Sequence, residues 1–193
     1  MLSIVVAVLF ALAVEAWWSD WQAQQKAEDV LLLIEKELQA NLVMLEDSKT
    51  HHKSHLDFYK EYQEPEGGMT DADYQAIFLH IFRRGVFRPA QVTQTGWDIA
   101  RYTDSISWLD FETLQHLNDV FTLQSGYKDY WSRGLLGFTL ADVLNDSKEV
   151  KIRSTMGTLN QAWWLEISLH NEITEALEHI AAQRGDVEIA AED

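Results

Sequence analysis

The chain has no cysteine, only two prolines, and 15 basic residues against 31 acidic ones in 193. Each shortage excludes something. Without cysteine there are no disulfides, no thiol catalysis and no cysteine-ligated zinc. With so few prolines, long helices can run unbroken. A formal net charge of -16 excludes nucleic acid as a partner, because phosphate binding needs clustered Lys and Arg. The same charge argues against a face that lies on anionic lipid. What is present is apolar and aromatic: 47% hydrophobic residues and eight Trp, enough to bury a real core in one domain.

The apolar residues begin at once. Leu2 to Val14 carries no charge, and nine of these thirteen residues are Leu, Ile, Val or Phe. On an insertion scale those nine favour the bilayer by about 4 kcal/mol. A cleaved signal peptide needs a positive n-region, yet the first Lys is Lys26. Val14-Glu15-Ala16 could pass as a cleavage site. No Gly or Pro separates the apolar run from the charged residues after it, however, and Trp17, Trp18 and Trp21 read as an interfacial aromatic belt. The expectation is an uncleaved transmembrane anchor over residues 1–18. Eleven acids against five lysines between Asp20 and Glu66 lean the rest of the chain outward. A chain that starts at its span is expected to lack a cytosolic output module, so that any signalling passes through a partner.

Beyond the anchor the pattern is helical throughout, and the fold class is all-α. A transmembrane helix continues into a long stalk helix and joins an antiparallel helical bundle. Residues 19–64 form the stalk, with Leu31, Ile34, Leu38, Leu42, Leu45, His52, Leu56 and Tyr59 on one face. Residues 65–184 form the bundle domain, and 185–193 an acidic, disordered tail after a stop at Gly185. Within the bundle, Thr70 caps a second helix over 71–84, with Asp73 completing a capping box. Pro89 opens a third, to about Thr103. A fourth starts near Asp110 and reaches Trp131, where Gly134 and Gly137 threaten it. A fifth covers about 148–183.

The exit "VEAWW", the charged helix after it, and the segment from Arg83 to Tyr130 containing Thr93, Trp97, Thr103, Gln124 and Tyr127 carry a resemblance. They resemble a family of uncharacterised bacterial single-span, membrane-anchored helical proteins that hold a domain of unknown function. The resemblance covers about two thirds of the chain, and "DSISWLD" departs from the small turn usual after the Thr. It implies a bacterial inner membrane and a helical domain on the periplasmic or extracellular side. It transfers no catalytic residue.

Several groups could carry chemistry. His51, His52 and His55 are weak metal candidates, because two imidazoles at i,i+4 can share an ion. No acidic ligand stands beside them at the usual spacing, so a solvated stalk with His52 buried is the reading preferred. Glu112/His116, Glu166/His170 and Glu175/His179 repeat one acid–His spacing, which ordinarily supports a helix surface. Arg84, Arg88 and Arg101, with Arg83, concentrate four of seven arginines in nineteen residues and are the candidate anion-binding set. The remaining tryptophans read as core. The resulting expectation is binding without catalysis: an accessory or scaffold subunit of an envelope complex, with no metal or other cofactor. Its partners would be the bilayer and, through the stalk, another protein or a second copy. The alternative is an envelope sensor for a small anion or a metal, acting through a partner.

Overall fold

A computed structural model describes residues 2–62, 69–137 and 148–191. Every regular element in them is helical: α1 (Leu2–Lys60), α2 (Asp71–Arg84), α3 (Thr95–Tyr102), a 3₁₀ turn (Ser105–Trp108), α4 (Phe111–Gly137) and α5 (Lys148–Ala191). Among the described residues no helix is long and apolar enough to cross a membrane. The residues expected to form an anchor are the first turns of α1.

α1 changes character at Ala27, its first buried residue. Before it, the helix carries exposed apolar side chains on every side. After it, Ile34, Leu38 and Leu45 disappear completely into the core. They do so because positions three and four apart share a helix face. α5 packs on this face in the opposite direction. Glu35 meets Arg184, Glu46 faces His170, and His52 meets Glu166. α4 is also antiparallel to α5, with Thr113 bonded to Gln183 and Tyr130 to the Thr158 carbonyl. α1 and α4 therefore run parallel, and a further segment of chain must return between them. α2 closes a smaller cluster, where Ile77 packs with Leu56, Ile152, Met156 and Leu159.

The capping box at Thr70 is as expected: Thr70 N donates to Asp73 Oδ2 at 2.8 Å, and Asp73 N donates to Thr70 Oγ1 at 3.3 Å. Gly85 ends α2 with φ +73, a conformation that L side chains rarely adopt.

Two expected boundaries are corrected. Pro89 does not open a helix; α3 starts only at Thr95, and Gly85 to Gln94 is an extended strap. Its backbone is occupied by side-chain partners from other helices, which replace the bonds a helix would have made with itself. Gly185 does not end the last helix, which continues to Ala191. A single Gly costs about 1 kcal/mol, and the residues after it are mostly Glu, Ile and Ala. Gly134 likewise lies inside α4. α1 ends at Lys60, and the stalk's expected limit at Glu64 lies outside the described residues.

Asp110 caps α4, accepting from Thr113 N at 2.9 Å. Burial pushes its carboxyl up, but hydrogen bonds from Thr113, Gln183 and the Glu112 backbone outweigh that and hold it at about 2. A depressed carboxylate stabilises the fold above its unfolded value of about 4 and stops doing so as pH falls through its folded value. Asp110→Ala should cost about 1 kcal/mol at neutral pH. The gap to wild type should narrow between about pH 4 and pH 2. Urea melts across that range check both.

Candidate functional site

The centre of the bundle is polar, and its polarity has a geometric cause. The strap is half-buried, with Val86, Ala90 and Val92 turned inward, and it carries N–H and C=O groups against the helices that no helix ladder can satisfy. Side chains on one face of α1 meet them in sequence. His52 Nε2 accepts from Arg88 N at 3.1 Å, and Ser48 Oγ lies 2.7 Å from Arg88 O. Asn41 grips both sides of Thr93, donating to its carbonyl (2.9 Å) and accepting from its amide (3.0 Å). Glu37 takes the amides of Thr95 (2.7 Å) and Gly96 (2.9 Å), and so caps α3 from another helix. From His52 back to Glu37 is about 22 Å of helix. From Arg88 on to Thr95 is about 23 Å of extended chain. The two lengths match, so α1 acts as a ruler along which the strap is fastened.

α4 holds the other side. Tyr127 Oη accepts from Ala90 N at 2.7 Å, and Gln124 donates to Thr93 O at 2.6 Å. Gly96 lies against α1 so closely that a Cβ would meet Ile34 at 3.1 Å and Glu37 at 3.2 Å.

Glu166 of α5 is the hub. It is completely buried, and its carboxylate reaches Ser48 Oγ (2.5 Å), His52 Nδ1 (3.0 Å) and Tyr127 Oη (3.2 Å). The geometry of a salt bridge is present between His52 and Glu166. The Arg88 amide decides otherwise: it donates to Nε2, so that nitrogen is bare and Nδ1 carries the hydrogen. His52 is thus a neutral donor to Glu166, fixed in one tautomer and stacked on Trp131 at 5.4 Å. Burial, and then the Glu166 charge, push the Tyr127 phenol far above the usual tyrosine range. This is an acid–histidine–tyrosine constellation, but every member is spent on the strap or on its neighbours.

The histidines of "HHKSH" separate. His52 enters the hub, while His51 Nε2 lies 2.9 Å from Gly85 O and 3.3 Å from His55 Nε2. His55 in turn packs edge-on against His80. Among the described side chains, the arginines do not come together either. Arg88 makes an exposed pair with Asp47 at 3.2 Å, beside the His52 end of the strap. Arg101 is exposed at the opposite end, on α3. Arg83 is exposed, and the Arg84 side chain lies outside the described residues. Glu166/His170 is not a surface pair, because Glu166 turns inward and His170 instead faces Glu46 at 3.7 Å. Trp97 and Trp131 are core, as expected. Trp108 and Trp164 are not; both are substantially exposed.

Arg101 does border an open cleft of about 810 Å³ between α3, the 3₁₀ turn and α4. Trp97, Ile106, Leu114 and Phe121 form its apolar floor, and Gln94, Gln115 and Asn118 its polar rim. Phe111, 80% exposed, stands at one edge. No property of the sequence pointed to this cleft, because it depends on α3 beginning six residues later than Pro89 suggests.

Comparison with protein-family models, with curated proteins and with solved structures finds no match.

Proposed function

We propose that this is a membrane-anchored helical protein of the bacterial envelope that acts by binding, as an accessory or scaffold subunit on the outer side of the membrane. The observation that carries this reading is the uncovered start of α1. Val5, Val6, Val8, Leu9, Phe10 and Leu12 surround the helix and are all exposed, Phe10 at 71%. An apolar helix with no polar face requires an apolar environment. From Leu2 to Trp18 it reaches about 26 Å. That is a few Å under the hydrocarbon thickness of about 30 Å, so the helix is too short to cross unaided and the anchor would depend on local thinning of the bilayer. Trp17, Trp18 and Trp21 would sit at the interface, where Trp18 and Trp21 already pack at 5.0 Å.

Binding is favoured over catalysis because the acid–histidine pair suited to proton transfer is sealed from solvent and saturated by structural bonds. The outward placement and the family resemblance rest on the sequence.

A second reading has its own support. Arg101 beside Trp97 offers a cation and an aromatic wall to a small anionic ligand in the cleft.

Fractionation tests the anchor. The full chain should stay with membranes after alkaline carbonate extraction, and a chain lacking residues 2–18 should be released while keeping its helical content. A mature chain found to start at Trp17, or full-length protein in the soluble fraction, would overturn the reading. Protease accessibility in intact cells against spheroplasts then reports the side.

A further inference from the structure

We propose that Glu112, His116 and His179 form a binding site for a zinc-class divalent cation on the seam between α4 and α5. One ligand atom from each, a carboxylate oxygen and two imidazole nitrogens, already lies within 4.8 Å of the others. The two rings approach with centroids 4.8 Å apart, tilted by 36°. Ligand atoms around a tetrahedral zinc stand about 3.3 Å apart at bonds of 2.0–2.1 Å. Small side-chain rotations therefore close the site without moving either helix.

Glu112 and His116 stand four residues apart on α4 and project from one face, while His179 approaches from the antiparallel helix. This is why neither i,i+4 pair in the sequence carries the site alone: the third ligand comes from across the seam. One further observation points to an ion, and another shows the ligands held in place. The Nε2 of His179 is buried and has no hydrogen-bond partner, an arrangement that is costly unless something occupies the lone pair or accepts the hydrogen. The helices are also pinned one turn away, where Thr113 Oγ1 donates to Gln183 Oε1 at 2.9 Å. Thr113 follows Glu112, and Gln183 is one turn beyond His179, so the pin fixes the spacing of the ligands.

Two nitrogens and one oxygen suit a borderline cation such as Zn²⁺ or Co²⁺ better than Mg²⁺ or Ca²⁺, which prefer all-oxygen shells. Three protein ligands leave at least one coordination position open. The site joins the start of α4 to the end of α5, so an occupied ion would clip together the end of the bundle nearest the apolar arm.

The test uses untagged full-length protein in detergent, stripped with chelator and titrated with Zn²⁺ by calorimetry, with Co²⁺ absorption as a second readout. The expected result is one ion bound per chain and a cobalt spectrum of tetrahedral intensity. His116→Gln and His179→Gln should each weaken binding about tenfold or more, a size typical even of outer-shell losses. His51→Gln/His55→Gln, altering another close imidazole pair, should leave binding unchanged. Far-ultraviolet dichroism confirms that each variant is folded, and the cobalt spectrum of wild type does not depend on any variant. Zinc binding that survives His116→Gln and His179→Gln together would overturn the site. So would its loss in the His51/His55 variant, or an octahedral, weakly absorbing cobalt spectrum.

Discussion

Glu166→Ala should be among the most destabilising single substitutions in the chain, lowering the unfolding free energy by about 3–5 kcal/mol. The size reflects the groups that the carboxylate holds. Removing it leaves the Nδ1–H of His52 and the hydroxyl of Tyr127 without their acceptor in a region closed to water. An unsatisfied buried donor costs about 1–3 kcal/mol, and the lost side-chain volume adds a cavity. Ser48 is better placed, because its hydroxyl can still donate to Arg88 O at 2.7 Å. Glu166→Gln separates the contributions. With its oxygen in the place of Oε1 it still accepts from Ser48, His52 and Tyr127, but its NH₂ group then faces the Nδ1–H of His52, donor against donor. It should fall between wild type and alanine. Trp131, stacked on His52, reports the change directly, so denaturant melts followed by tryptophan fluorescence are the measurement. If Glu166→Ala melts within about 1 kcal/mol of wild type, the hub does not hold the core as described.

How far the sequence carries can be judged at particular residues. The limits of α2 and its capping box were legible because Thr70, Asp73 and Gly85 act locally, through their own backbone neighbours. The α1 stripe was legible because burial repeats every three to four residues. The strap was not, and the reason is physical. Pro89 is as suitable at the first position of a helix as in an extended chain, so propensity alone cannot choose. What decides is the set of partners supplied by α1 and α4 from more than thirty residues away. A signal was nevertheless present. Asn41, Ser48 and His55 recur seven residues apart along the same face as Ile34, Leu38 and Leu45, and all six are buried. Polar residues placed regularly within an apolar stripe imply buried polar groups opposite them. Glu166 is the same case on α5: its spacing to His170 suggested a surface pair, while its position among Ala162, Leu169 and Ile173 placed it inside. The cleft and the three-residue cation site depend on tertiary distance alone.

Asn41 provides the second large effect, and it tests the strap rather than the hub. Asn41→Leu keeps the forked shape of the side chain while removing its donor and acceptor, so the loss is chiefly one of hydrogen bonding. The Thr93 amide then has no acceptor, and Gln124 Oε1 loses a donor at 3.3 Å. The Thr93 carbonyl keeps Gln124 Nε2 at 2.6 Å and is still satisfied. One orphaned, partly buried N–H and one weakened amide amount to about 1–2 kcal/mol. Asn41→Asp should be no rescue. It restores an acceptor for the Thr93 amide, but its second oxygen would face the Thr93 carbonyl and Gln124 Oε1, oxygen against oxygen. Asn41→Gln fails differently, since the extra methylene pushes the amide past Thr93. The strap gives a local readout besides global stability. In Asn41→Leu the amide hydrogens of Thr93, Thr95 and Gly96 should exchange much faster than in wild type, because they are held only by side chains of α1. Amides in the middle of α5 should slow or quicken only with global stability. Uniform acceleration across the bundle would mean that the strap has no opening of its own and melts only with the whole domain.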